Sequence, residues 1–215
     1  SVLGSTQPDY SRLYNNQGNT FRAQCKLEEA IQQYQEALRV NPELAEAHHN
    51  LASILVGQGK LNEAIRHYRA ALDVDGDLAE AHYRLAVALG WTGQIDGARI
   101  HFKRATQLVP DWADPLNGLA WVLATHPDLQ SRDAQTAIEL AQQAVALTDR
   151  QDAASLDTLA AAYASADQFE QAVAIVGEAL VCARRDKEES LVEEIRLRRE
   201  LYRREKPYRQ PGRTE

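Results

Sequence analysis

Six histidines, two cysteines and several paired acids are the side chains of this 215-residue chain best suited to metal binding or proton transfer. Their spacing argues against both roles. His48 and His82 lie 34 residues apart, as do His67 and His101, while His49 and His126 fall outside that pattern. Recurrence at a fixed interval points to a packing or surface role repeated along the chain, rather than to convergence on one ion. Adjacent helical residues such as His48 and His49 also point away from each other. The acidic pairs Glu28-Glu29 and Glu188-Glu189 read as helix-surface charge. General acid/base work needs an enclosed setting that shifts a pKa, and nothing around them supplies one. No glycine-rich phosphate loop, GxSxG elbow or HExxH pair occurs. We therefore expect no catalytic residue, no metal and no cofactor. What remains is binding chemistry. Asn15, Asn16, Asn19, Asn50 and Asn117 carry amides that both donate and accept, so they can pair with a peptide backbone whatever its side chains. The same residues could equally cap turns or tie one helix to the next.

The elements that hold these residues follow from a period. Gly18, Ala52, Ala86, Ala120 and Ala160 are spaced 34, 34, 34 and 40 residues. Two more columns, Ala30/Ala64/Ala98/Ala137/Ala172 and Ala37/Ala71/Ala105/Ala144/Ala179, are each spaced 34, 34, 39 and 35. All three agree on the repeat and on an insertion between Ala120 and Ala137. Helices approach to roughly 8–10 Å when the residues at their crossing are small. Large apolar residues stand at helical spacing between the small ones: Phe21, Leu55, Leu89, Leu123 and Tyr163, then Tyr34, Tyr68, Phe102 and Val176. Each period is thus a helical hairpin with an apolar stripe it cannot bury alone, so the hairpins must stack.

This pattern resembles the tetratricopeptide repeat (TPR) family. The carrying residues are Gly18, Ala30, Tyr34, Ala37 and Pro42 in the first unit. The second has Ala52, Ala64, Tyr68, Ala71 and Gly76, and the third has Ala86, Ala98, Phe102, Ala105 and Pro110. Gly76 departs from the usual Pro, Ala141 from the usual aromatic, and Cys25 from the usual turn Gly. The resemblance implies an all-α, right-handed superhelical solenoid that binds a peptide or protein segment in a concave groove lined by the first helix of each hairpin. It places Arg12, Asn15, Asn16, Asn19 and Arg22 there, followed by Glu46, His49, Asn50, Ser53 and Val56. The third unit adds Glu80, Tyr83, Arg84, Val87 and Trp91, the fourth Asp114, Asn117 and Trp121, and the fifth Asp157 and Thr158. Among these, the expected binding residues are Asn15, Asn16, Asn19, His49, Asn50, Tyr83, Arg84, Asn117 and Trp121. A chaperone-type carboxylate clamp is not expected. Asn15, Asn19, Asn50, Glu80 and Arg84 occupy its positions, and both clamp lysines are missing. Asn16 and Asn50 instead resemble a short version of the asparagine ladder of O-linked N-acetylglucosamine transferases.

The expected organisation is a flexible leader (1–9), an array (10–186) with units at about 11–44, 45–78, 79–112, 113–152 and 153–186, a capping helix (187–206) and a disordered tail (207–215). The fourth unit carries the insertion as HPDLQSRD (126–133), with Asp133 as the expected N-cap of the helix after it. The net charge of −7 divides unevenly. Residues 184–215 hold 11 Lys/Arg and 8 Asp/Glu, or +3, which leaves 13 and 23, or −10, for the rest. That acidic body disfavours nucleic acid as partner. No apolar run is long enough to span a membrane. In an extended array, Cys25 and Cys182 lie too far apart for a disulfide, which needs Cα atoms within about 7 Å, so free thiols are expected. The leading functional reading is a non-catalytic interaction scaffold. WVLATHPD, SLDTLAAAYA and the basic C-terminal run also resemble the ends of bacterial TPR proteins. That resemblance leaves open a regulatory or targeting arm of a larger enzyme, such as a membrane-bound glycosyltransferase, or a self-association module.

Overall fold

The structure, a computed structural model, describes residues 9–210. Residues 1–8 of the expected leader and 211–215 of the expected tail lie outside the described residues. Two compact units divide between Thr92 and Gly93.

The first unit holds α1 (Ser11–Ala23), α2 (Leu27–Val40), α3 (Ala45–Gly57), α4 (Leu61–Val74) and α5 (Ala79–Trp91). α1 packs on α2 and α3 on α4, while α1, α3 and α5 neighbour one another along one face. The small-residue columns mark the crossings. Ala30, Tyr34 and Ala37 are fully buried, and so are Ala64, Tyr68 and Ala71. A methyl group on Gly18 would stand 2.5 Å from the Tyr34 ring, so only glycine admits this closeness at that crossing.

The turns obey the same period. Cys25, Gly59 and Gly93 all adopt φ between 59° and 73°, a left-handed conformation that reverses the chain after the first helix of a hairpin. Cys25 therefore fills a glycine position with an exposed thiol. Between hairpins, Asn41 Oδ1 accepts from the Glu43 backbone N–H (3.0 Å) and Asp75 Oδ1 from that of Asp77 (3.1 Å). These side chains stop one helix and set the entry of the next.

The second unit holds α6 (Ile95–Leu108), α7 (Ala113–Thr125), α8 (Ala134–Leu147), α9 (Ala153–Ser165), α10 (Phe169–Arg185) and α11 (Glu189–Arg203). α7 packs on α8 and on α9, and α9 packs on α10 and α11. One core joins Ala141, Val145, Leu156, Ala160, Val176, Leu180, Ile195 and Tyr202. Ala141 stands where α2 and α4 carry a tyrosine, and it is fully buried among these residues. The insertion forms a 3₁₀ turn, Leu129–Ser131, whose start is capped by Asp128. The Asp133 backbone N–H donates to Leu123 O (3.1 Å) and closes the loop. Asp133 then caps α8 by accepting from the Thr136 N–H (3.1 Å), as its position predicts.

At the start of the expected tail, residues 207–210 lie along the C-terminal end of α7. The Gln210 backbone N–H donates to Thr125 O (2.9 Å) and an Arg209 guanidinium nitrogen to Ala124 O (3.3 Å). These bonds occupy carbonyls that a helix end leaves without partners in the helix.

Candidate functional site

In the first unit, Asn15 and Asn19 sit one turn apart on α1, and Asn50 faces them from α3. Asn50 Nδ2 donates to Asn15 Oδ1 (3.0 Å), a bond between the first helices of successive hairpins. Tyr34 Oη donates to Asn19 Oδ1 (2.8 Å). Some of the hydrogen-bonding capacity of these asparagines is therefore spent on packing, and each amide retains further donor or acceptor sites. His49 lies edge-on to Tyr68, with ring centroids 5.6 Å apart. Tyr68 Oη lies 3.2 Å from Ser53 Oγ. Glu80 holds Arg84 through the Arg84 Nε donor (2.7 Å), and the guanidinium stands 5.3 Å from the centre of the Tyr83 ring.

A pocket of about 270 Å³ lies here, lined by Asn15, Asn19, Glu46, His49, Asn50, Leu78, Glu80 and Ala81. Of the expected binding residues, Asn15, Asn19, His49 and Asn50 are brought together here. Tyr83 and Arg84 follow on α5 beside Glu80, and Asn16 points outward, exposed. Leu78 and Ala81, at the entry of α5, were not anticipated from sequence because they are apolar and fall between the groove positions. The pocket offers amides, two carboxylates and an imidazole, a set suited to backbone N–H groups and cationic side chains.

Burial lowers the pKa of His49, with Glu80 opposing and Arg84 and Arg22 assisting. Burial also lowers that of His67, assisted by His48 and Arg66 and opposed by Glu63. His67 Nδ1 lies 2.9 Å from His48 Nδ1, and His48 Nε2 lies 2.9 Å from Pro42 O. The carbonyl requires a proton on His48 Nε2, and of the two facing Nδ1 atoms one donates to the other. A histidine whose pKa is lowered on folding contributes stability above its unfolded value of about 6.5, and that stability is lost as the pH falls. Acidification from pH 7.5 to 5.5 is therefore expected to lower the melting temperature of residues up to Thr92, and His67→Leu should weaken the dependence. An unchanged slope in the variant would remove the pair as its source.

In the second unit, Asn117 and Trp121 lie one turn apart on α7. Asn117 Oδ1 is buried without a hydrogen-bond partner among the described residues. Trp121 is covered by the chain itself: the Tyr208 ring lies 5.6 Å away and the Arg198 guanidinium 5.2 Å away, centre to centre. Arg198 on α11 makes a buried two-point ion pair with Asp157 on α9, at 3.0 and 2.7 Å. Burial pushes the Asp157 carboxyl up to about 6, against the pull of Arg198. Sequence placed Asp157 on the groove face, but nothing in it paired that residue with an arginine 41 positions later.

Among the described residues, no group of histidines, cysteines or acids is arranged to hold a metal ion. No described helix is long and apolar enough to cross a membrane.

The hairpin architecture defines an α-helical repeat protein. A TPR repeat model matches residues 18–59 and 52–90, and a second tetratricopeptide repeat model matches 153–185. The chain therefore carries tetratricopeptide repeats over residues 18–90 and 153–185. Its fold is similar to that of YrrB, described as a TPR protein with an unusual peptide-binding site (TM-score 0.73, 18% identity, 88% of this chain and 93% of that one). It is also similar to MamA from Desulfovibrio magneticus RS-1 (TM-score 0.69, 19% identity, 84% and 98%). PilF of Pseudomonas aeruginosa is a further structural relative (TM-score 0.62, 18% identity, 91% and 91%). No curated protein matches the chain in sequence.

Proposed function

We propose that this protein is a non-catalytic interaction scaffold that binds an extended peptide segment on the face shared by α1, α3 and α5. The observation that carries the reading is the pocket formed by Asn15, Asn19, Asn50, His49, Glu46 and Glu80. Asparagine amides on successive first helices meet the alternating donors and acceptors of an extended backbone, and Glu46 favours a basic side chain on the ligand. The peptide-binding description of YrrB, a protein of similar fold, supports the same reading.

The test is selection of binders from a displayed random-peptide library, followed by calorimetric titration of the winners. Asn50→Ala is expected to weaken binding about tenfold, the worth of one or two hydrogen bonds. Its melting temperature should stay near that of the wild type. Retained affinity in Asn50→Ala and in Glu80→Gln would move the ligand off this face.

A further inference from the structure

A second ligand position lies in the other unit, and the chain already fills it. We propose that Trp121, Arg198 and the C-terminal end of α7 form a receptor for an extended segment carrying an aromatic residue followed by arginine. The chain's own 207–210 occupies it in cis as an internal competitor. The inference stands apart from the first-unit pocket and does not depend on it.

Three observations carry it. First, 207–210 is non-helical, and it lies against Trp121 and the C-terminal end of α7. Second, it is held as a bound peptide would be held. Tyr208 stacks on Trp121 and against the Arg198 guanidinium, at 5.6 and 5.5 Å between centres. The next residue, Arg209, donates to Ala124 O, and the Gln210 backbone N–H donates to Thr125 O. An aromatic side chain, an arginine and a backbone N–H are thus each recognised by a separate group. Third, the receptor side chains are also held by contacts outside the segment. Asp157 fixes Arg198 from below through two hydrogen-bonded contacts, and Ile195 and Tyr202 root α11 in the core on either side of it. Lys206 itself is exposed, and its backbone N–H donates to Leu201 O (3.0 Å) at the end of α11, where the segment begins.

The consequence is competition. A tethered segment faces its site at an effective concentration in the millimolar range, so an external peptide of the same kind must outcompete it. Tyr208 packs at the edge of the core, and removing it together with Arg209 should open the site.

The probe is a fluorescein-labelled synthetic peptide of residues 204–210, Arg-Glu-Lys-Pro-Tyr-Arg-Gln. It is titrated by anisotropy into three full-length proteins: wild type, the double variant Tyr208→Ala/Arg209→Ala, and that variant with Trp121→Ala added. We expect the double variant to bind at least tenfold more tightly than the wild type, and the addition of Trp121→Ala to abolish the gain. A peptide with alanine in place of its tyrosine should not bind. Equal affinity for wild type and double variant, no binding to either, or indifference to Trp121→Ala would overturn the proposal. Circular dichroism of all three proteins separates loss of the site from loss of the fold. If Trp121→Ala unfolds, Trp121→Leu replaces it, filling the space without offering a ring to stack on.

Discussion

Asp157→Ala is expected to destabilise the second unit by about 3–5 kcal/mol, because it strands a buried guanidinium. Arg198 is only 5% exposed, and its neighbours besides Asp157 are the aromatic rings of Trp121 and Tyr208 and the half-exposed carboxylate of Glu194 on its own helix. Glu194 reaches the guanidinium at 3.3 Å from a largely solvated position and cannot replace a two-point buried partner. Replacing both members of the pair, as Asp157→Leu with Arg198→Met, should recover most of the loss. Removing two buried charges relieves the desolvation that each suffers, whereas removing one exposes the other to the full cost. Urea unfolding of wild type, Asp157→Ala and the double replacement reads this directly. A double replacement as unstable as the single one would mean that the pair contributes net stability, beyond tolerating its own burial.

The second large effect is a matched pair of glycines in the same unit. Gly118 on α7 faces Phe102 on α6, and an added methyl would stand 2.4 Å from the ring. Phe102 is buried, so Gly118→Ala should cost about 1–3 kcal/mol through overpacking. Gly177 lies in the interior of α10 with nothing within 4 Å of the position its methyl would take. Gly177→Ala should therefore stabilise the same unit by about 0.5–1 kcal/mol, by restricting the unfolded backbone. Both variants report on one unfolding transition, so a common sign would contradict the close approach of α6 and α7.

The hairpins were legible because their determinants are local and repeated. A small residue is needed wherever two helices cross, so Ala30, Ala64 and Ala98 recur at the 34-residue repeat, and the caps Asn41, Asp75 and Asp133 act within three residues of themselves. The first-unit pocket was partly legible for the same reason. Asn15, Asn19 and Asn50 share a helical face that the repeat itself defines. The bond between Asn50 and Asn15 could not be read, because it depends on how far α1 stands from α3 rather than on either sequence position. The second unit defeated the reading where the chain folds back on itself. Residues 207–210, with a proline and two polar side chains, have the composition of a loose end. Their placement comes from contacts with Trp121, Ala124 and Thr125, more than 80 residues earlier. Arg198 likewise sits in a helix crowded with charge, and no local rule singles it out from Arg196 or Arg199 as the one that enters the interior.

The closed loop between α7 and α8 bears on how such a chain changes length. The backbone bond from Asp133 to Leu123 spans the inserted residues and returns the chain to the point where an uninterrupted hairpin would begin its second helix. Extra residues are looped out at a cost that grows only with the logarithm of their number. The packing of α7 on α8 is thereby insulated from what lies between them. Segments of unrelated sequence can be gained or lost at that junction over evolutionary time, or grafted there deliberately, while the pitch of the neighbouring hairpins is preserved.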